Sequence, residues 1–333
     1  MKLSKKEAIR LLKNWDITEV ESIKKSEKGE SNHNWVVNTR NSRFVLRRAP
    51  DFRNIKDLKF ELLYLDRLKK EGFNYEIPVP LRNRKGKYLV NYKNGRWWAY
   101  KYIDGYIIEP VPIDLVPKIA KMLAEYHILL EKLNISNGKK KTSAFNRNKL
   151  QKELKSLRNK TFKIKNKKKK HRIFLKYVGG LLELLESLNE RDYASLEQYP
   201  LHRDLNPENI LWKGREISGV IDFENVGTMN DTFISDIAFA LMFTATTEKN
   251  HKLNLKMVKT FFGAYERIRR LSQKEIKFFP DLIIAGFIEA FSWQYWLQLN
   301  DPSRTRLSRL SLYAKASRWI DDNKAIIARG LKR

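Results

Sequence analysis

The sequence predicts an α+β fold in two parts, a small N-terminal β-sheet region with a helix and a larger, mainly helical C-terminal region. Short apolar strand patterns dominate the first part, at 17–23, 35–38, 43–48, 87–92 and 96–103. Helical patterns dominate the second part, at 114–133, 175–188, 237–244, 255–269, 281–299 and 307–328. A hairpin pattern interrupts these helices, with strands at 210–212 and 217–223 and Gly214 in the turn.

Two helices accompany the N-terminal strands. Residues 4–14 form an amphipathic pattern, and residues 54–71 carry leucines at helical spacing. Asp104 and Gly105 end the last strand pattern.

Composition indicates a folded protein and excludes several classes of site. The chain has 333 residues, of which 42% are hydrophobic and 12% aromatic, and it has no cysteine. Disulfides, thiolate catalysis and cysteine-ligated zinc are therefore excluded. The N-terminus lacks the apolar core of a signal peptide, and the apolar run 282–288 is too short for a transmembrane segment. We therefore expect a cytoplasmic protein with no transmembrane segment.

The net charge of +29 is unevenly distributed. Residues 139–172 contain sixteen Lys or Arg and a single acid, Glu153. Such a run is usually solvated and flexible. The alternative is a contact with nucleic acid or an anionic membrane surface through 139–172, which the few aromatic residues there do not favour.

The stretch 201–224 concentrates oxygen-bearing side chains around the hairpin. Asp204 precedes Asn209 by five residues, and Asp222 ends the second strand. Phosphoryl transfer needs an acceptor for the proton of the attacking hydroxyl and oxygen ligands for Mg²⁺ beside the triphosphate. A loop with Asp204 and Asn209, followed by a strand ending at Asp222, can supply all three groups.

This stretch resembles the catalytic loop and metal-binding segment of the protein-kinase-like fold. The motif H-R-D-x-x-x-x-N is present from His202 to Asn209, and Asp222-Phe223-Glu224 stands in place of D-F-G. Asp-Phe-Glu is more similar to the small-molecule branch that contains aminoglycoside phosphotransferases, choline kinases and homoserine kinases. The resemblance implies a two-lobed fold with ATP and Mg²⁺ between a β-sheet lobe and a helical lobe. It places the hinge at Asp104 and Gly105, which gives predicted lobes at 1–104 and 105–333.

The resemblance also assigns roles to residues in this sequence. It implies that Asp204 is the catalytic base, that Asn209 and Asp222 are the Mg²⁺ ligands, and that Arg47 replaces the usual lysine on the third strand. Glu61, on the following helix, is then the expected ion-pair partner of Arg47.

The nucleotide contacts that the resemblance implies lie on a loop and on the last N-terminal strand. Ser31 and Asn32 belong to the loop expected to cover the phosphates. The adenine is expected beside the backbone at 100–103, which includes Tyr100, Tyr102 and Ile103.

Other residues of the motifs receive structural predictions. His127 and His202 are expected to pack and form hydrogen bonds, and Asp236 is expected to brace the catalytic loop. Trp293 and Trp296 lie on the helix expected beside the acceptor, where an aromatic stripe is more often core than substrate site.

The function that the resemblance implies is transfer of the γ-phosphate of ATP to a hydroxyl of a small metabolite. Homoserine, an amino alcohol, a sugar and an aminoglycoside all fit as the acceptor. The alternatives are a non-catalytic kinase-like scaffold and a basic protein that binds nucleic acid or membranes. A protein kinase is a weaker alternative, because 14 residues separate Asp222 from Asp236 and leave no room for a long activation loop.

Overall fold

The computed structural model describes residues 3–26, 33–139, 147–246, 249, 251–301 and 306–331. Contacts between residues divide the chain into two compact units, one comprising 1–107 with 209–228 and the other 108–208 with 229–333. The predicted lobes 1–104 and 105–333 stay a prediction. The sequence did not indicate that 209–228 would pack with the first unit.

The described part of the first unit contains a five-stranded antiparallel sheet and two α-helices. Its elements are α1 (Lys5–Leu12), β1 (Val20–Lys25), β2 (His33–Thr39), β3 (Arg43–Ala49), α2 (Ile55–Lys70), β4 (Val90–Tyr92) and β5 (Gly95–Lys101). The strand order is β1-β2-β3-β5-β4. The predicted strands and both predicted helices are therefore present, with strand ends shifted by a few residues.

An apolar cluster between α1 and the sheet holds this unit together. Leu11, Leu12 and Trp15 come from the N-terminal helical region, and Trp35 and Trp97 come from strands β2 and β5 of the sheet. The two indole rings lie 5.2 Å apart. Burial of large aromatic and aliphatic side chains is the dominant favourable term in such a core.

The predicted hairpin completes the first unit. It consists of β6 (Ile210–Lys213) and β7 (Glu216–Val220), and Gly214 adopts the left-handed backbone that the turn requires, with φ of 57°. The backbone of Glu76 exchanges two hydrogen bonds with β7, from its N–H to the carbonyl of Ser218 (3.0 Å) and to its carbonyl from the N–H of Val220 (2.8 Å). These bonds fix the position of the strand that leads to Asp222.

The second unit is helical where the structure describes it. Its helices are α3 (Val116–Leu133), α4 (Arg147–Phe162), α5 (Lys169–Ser187), α6 (Phe233–Thr244), α7 (Leu255–Glu266), α8 (Gln273–Ile276), α9 (Phe279–Asn300), α10 (Leu307–Asp322) and α11 (Lys324–Leu331). Helix α9 is buried along most of its length and packs against α6 and α10. The pattern at 307–328 is two helices instead of one, because α10 ends at Asp322 and α11 begins at Lys324. The predicted α+β composition is confirmed.

The basic segment is mostly helical in the described part of 139–172. Helix α4 buries Leu150, Leu154 and Leu157 on one side, while most of its lysines stay exposed. A role of this segment in binding an anionic partner stays a prediction. Among the described residues, no helix is both long enough and apolar enough to span a bilayer.

Gly227 allows the segment after β7 to approach α2 closely. A Cβ atom at this position would lie 2.5 Å from the backbone oxygen of Asp57, in the first turn of α2. We expect Gly227→Ala to lower the free energy of unfolding by about 1–3 kcal/mol, because the backbone of one segment must move. The measurement is urea denaturation.

The matched control is Gly180→Ala on α5, where an added Cβ would meet no atom within 4 Å. This change should raise stability by about 0.5–1 kcal/mol, since alanine favours a helix interior. Equal effects of the two substitutions would contradict the close approach at Gly227.

Candidate active site

Arg47 is a buried cation beside the end of β7. Its side chain donates a hydrogen bond of 2.9 Å from Nη2 to Oδ1 of Asp222, and the same nitrogen lies 3.6 Å from a carboxylate oxygen of Glu224. Burial alone would lower the pKa of Arg47, but the carboxylates of Asp222 and Glu61 outweigh it and raise the pKa. Arg47 is therefore charged, and it neutralises a carboxylate that the sequence assigns to the metal.

Asp222 has an unusual backbone conformation. Its φ of 69° lies in the left-handed region, which costs a non-glycine residue roughly 1–3 kcal/mol. About two-thirds of its side chain is shielded from solvent. The surrounding structure therefore holds this carboxylate in a strained position, as is common at functional sites.

Asn209 lies at the same end of the hairpin as Asp222. The N–H of Ile221 donates a 3.0 Å hydrogen bond to the carbonyl of Asn209, which extends the β6–β7 pairing by one step. Residues 209 and 221 thus face each other, and Asp222 follows directly. This register explains how two residues thirteen apart in the sequence come to the same place.

The oxygen atoms at this hairpin end suit Mg²⁺. Magnesium usually takes one or two protein carboxylates and completes its shell with water and substrate phosphates. Asp222 offers a carboxylate, and Asn209 has an amide oxygen. Among the described residues, no group of three or more His, Asp or Glu side chains could hold a metal ion. A magnesium ion here would depend on further oxygen atoms from the nucleotide and from water.

Glu61 is paired with Arg53. The prediction that Arg47 is the direct ion-pair partner of Glu61 is wrong. The Glu61 side chain is fully buried on α2, and its Oε2 lies 2.6 Å from Nη2 of Arg53. Burial raises the pKa of Glu61, while the two arginines oppose this shift. The chain turns at Pro50, whose carbonyl accepts a hydrogen bond from the N–H of Arg53 (3.1 Å). The motif gave no signal for Arg53, because its role depends on this turn.

The strand predicted to receive the adenine is β5 and the residues after it. Tyr100 is buried, and burial raises its pKa to about 12. The backbone N–H of Tyr102 donates to the carbonyl of Arg43 (2.9 Å), and Ile103 packs where Gly219 leaves room for its Cγ2. The predicted phosphate contacts Ser31 and Asn32 lie outside the described residues.

Asp204 belongs to the second unit, whereas Asn209 and Asp222 belong to the first. Its Oδ1 accepts a 3.0 Å hydrogen bond from the amide of Asn206, and its backbone N–H donates to Nδ1 of His202 (3.2 Å). His202 is buried, in agreement with its predicted structural role. The meeting of Asp204 with the hairpin residues stays a prediction.

Asp236 braces the catalytic loop, as the sequence predicts. Its Oδ1 accepts a 2.7 Å hydrogen bond from the backbone N–H of Arg203, which has a left-handed φ of 51°. Its Oδ2 lies 3.2 Å from Nε2 of His127, and Nδ1 of His127 lies 2.7 Å from the hydroxyl of Tyr265. The structural predictions for Asp236 and His127 are confirmed.

One face of α9 lies next to Arg203 of the predicted catalytic loop. Arg203 pairs with Asp231 (Nε to Oδ2, 3.1 Å) and lies 3.7 Å from Oε2 of Glu289 on α9. Trp293 and Trp296 follow on the same side of that helix, with ring centroids 5.0 Å apart and nearly parallel planes. They are 48% and 44% exposed. The prediction that this aromatic stripe is core is wrong for these two tryptophans.

Comparisons with known proteins support one family and one fold. The model of the phosphotransferase enzyme family matches residues 22–271. A homoserine kinase from Bradyrhizobium sp. (strain ORS 278) is 25% identical over 308 residues, covering 88% of this chain and 85% of that protein. Spectinomycin phosphotransferase in complex with ADP and spectinomycin superposes with a TM-score of 0.64 at 13% identity, covering 97% of this chain and 99% of that one. Amicoumacin kinase with AMP-PNP and Ca²⁺ gives a TM-score of 0.63 at 15% identity, covering 91% and 89%. The predicted protein-kinase-like fold is confirmed.

The buried His127 makes stability depend on pH. Burial lowers the pKa of His127, so the folded protein takes up this proton at a lower pH than the unfolded chain, which takes it up below about pH 6.5. Unfolding then becomes more favourable as the pH falls below that value, by up to about 1.4 kcal/mol per pH unit. We expect wild-type protein to lose stability between pH 6.5 and 5 more steeply than His127→Gln.

The measurement is the free energy of unfolding of both proteins in urea across this range. The difference between the two curves isolates His127 from other titrating groups. Parallel curves would show that His127 has an ordinary pKa in the folded state.

Proposed function

Because this chain belongs to the phosphotransferase enzyme family and is a kinase of small molecules, we propose that it moves the γ-phosphate of Mg²⁺-bound ATP to a hydroxyl group. The observation that carries this proposal is the ion pair of buried Arg47 with half-buried Asp222, at the hairpin end that also holds Asn209. A cation, a strained carboxylate and an amide at one place are the groups that a metal–triphosphate needs. The cytoplasm is the proposed compartment, since ATP is available there.

The first unit holds the nucleotide in this proposal. Arg47 contacts the phosphates, the backbone at Tyr100, Tyr102 and Ile103 receives the adenine, and Ser31 and Asn32 cover the phosphates. Asn209 and Asp222 would hold Mg²⁺, which would supply charge neutralisation at the triphosphate. Glu61 acts indirectly, through the pairing of the arginines around it.

Asp204 accepts the proton of the acceptor hydroxyl. Two contacts orient it, the amide of Asn206 on its carboxylate and the ring of His202 on its backbone N–H. Asp236 fixes the strained Arg203 beside it. Positioning of the hydroxyl and neutralisation of the phosphates then account for most of the rate.

The acceptor is a small hydroxylated metabolite, and homoserine is the first to test because of the homoserine kinase relative. An amino alcohol, a sugar and an aminoglycoside are the other classes. Trp293 and Trp296 offer exposed rings on the face of α9 that begins at Glu289. We assign the acceptor to this face.

A non-catalytic scaffold is the main rival, and it predicts no transfer with any acceptor. The complete set of Asp204, Asn209 and Asp222 argues against it. The exposed lysines of α4 form the basis of the other rival, binding of an anionic partner. That binding would persist when phosphoryl transfer is abolished.

Asp204→Asn should abolish transfer while leaving nucleotide binding intact. Loss of a general base lowers rates by about 10²–10⁴. Asparagine keeps the shape of the side chain, so the affinity for ATP should change by less than about threefold, a small free-energy difference. The measurement combines a labelled-ATP assay over a panel of acceptors with calorimetric titration of ATP.

Asp222→Asn is the paired variant, and in contrast to Asp204→Asn it is expected to weaken ATP binding. It should weaken ATP binding in the presence of Mg²⁺ more than in its absence, because a carboxylate ligand is lost. Equal transfer rates for wild type and Asp204→Asn would sink the catalytic assignment.

Trp293→Ala and Trp296→Ala should raise the KM for the acceptor without changing the KM for ATP. Each exposed ring contributes about 0.5–1.5 kcal/mol when it packs on a ligand, or roughly threefold to tenfold in KM. The control is Phe162→Ala, another exposed aromatic residue of the second unit. Unchanged acceptor KM in both tryptophan variants would place the acceptor elsewhere.

A further inference from the structure

A group of five buried or half-buried charges lies within the first unit. Its members are two arginines and three carboxylates: Arg47, Arg53, Glu61, Asp222 and Glu224. Charges removed from water are costly unless each has a partner, so the way they pair decides which groups can still bind a ligand.

Arg53 connects two segments of this group. Its Nη2 lies 2.6 Å from Oε2 of Glu61 on α2 and donates a 2.8 Å hydrogen bond to the backbone carbonyl of Glu224. Its side chain is 8% exposed. Arg53 therefore links the helix to the segment two residues after Asp222, although no motif contains it.

Glu61 could also attract Arg47. Asp222 and then Glu61 are the carboxylates with the largest effect in raising the pKa of Arg47. The side-chain Nη2 of Arg53 is close to Glu61, but its N–H is not aligned as a hydrogen bond requires. The carboxylate of Glu61 therefore keeps capacity for another donor. Without the charge of Arg53, Arg47 would be the nearest cation available to a buried carboxylate.

Arg47 keeps an unused donor under the present pairing. Its Nη2 binds Asp222, while its buried Nε has no hydrogen-bond acceptor among the described residues. A buried donor without an acceptor costs free energy, and an anionic ligand within reach of it would offset that cost. This donor belongs to the residue that the proposed function places at the phosphates.

We propose that Arg53 is a positioning residue of the nucleotide site: it neutralises Glu61 and thereby keeps Arg47 directed toward Asp222 and the phosphates. This inference rests on the proposed function and concerns binding of ATP instead of the chemical step. In this proposal Arg53 pairs with Glu61 on α2, and Arg47 is left to contact the phosphates.

The experiment measures ATP affinity by calorimetry and stability in urea for Arg53→Met, Glu61→Gln, the double variant and Arg53→Lys. Arg53→Met should weaken ATP binding about tenfold, the loss expected when one hydrogen bond to a charged group is diverted. Adding Glu61→Gln removes the charge that captures Arg47, so the double variant should bind ATP within about threefold of wild type. Its unfolding midpoint should stay below that of wild type, because a buried amide remains poorly paired.

If Arg53 only stabilised the fold, the result would differ. The affinity for ATP would then fall in each variant in proportion to its loss of stability in urea. Arg53→Lys retains the charge and should bind ATP like wild type, which keeps the test valid if Arg53→Met does not fold. The control pair is Arg84→Met with Asp16→Asn, an exposed ion pair of the same unit (2.6 Å), which should leave ATP affinity unchanged.

The inference is overturned if Arg53→Met binds ATP as wild type does. It is also overturned if the double variant or Arg53→Lys binds ATP about tenfold more weakly than wild type. Failure of wild-type protein to bind ATP would instead overturn the proposed function, and the inference with it.

Discussion

The ion pair between Arg47 and Asp222 is the constraint on which the first unit's site depends. Each partner alone would be unfavourable where it lies, the arginine because it is buried and the aspartate because of its left-handed backbone. Together they join β3 to the end of β7. The hairpin, its bonds to Glu76 and the close approach of Gly227 to α2 all serve to bring that strand end to this place.

The predicted catalytic loop of the second unit relies on a comparable arrangement. Asp236 lies in the first turn of α6. One of its carboxylate oxygens accepts a hydrogen bond from the backbone N–H of Arg203, and the other contacts the ring of His127. A buried carboxylate with two partners can hold a strained loop residue, whereas an exposed one could not. In the sequence, one residue with a left-handed backbone, Arg203, precedes the segment Asp204–Asn209, and another, Asp222, follows it.

Much of the fold could be predicted from the sequence, because periodic leucines and alternating strands report burial directly. Helix α2 shows this, with Leu58, Leu62, Leu65 and Leu68 all buried as their spacing implies. The motif likewise led to the roles of Asp236 and His127. The partner of Glu61 was not predictable, because Arg53 reaches it through a turn that no periodicity encodes. Trp293 and Trp296 could not be assigned either, since exposure on α9 depends on which neighbouring helices cover it.

The order of the chain has a consequence for biosynthesis. Residues 209–228 complete the first unit, so its strand pairing to Glu76 and its Arg47 contact remain unmade until the ribosome has passed that point. A nascent chain that ends near residue 107 carries Arg47, Arg53 and Glu61 but not yet Asp222 and Glu224, the other two carboxylates of the group. Completion of the first unit is therefore a late, long-range event in synthesis, and helices α3 to α5 emerge before it can occur.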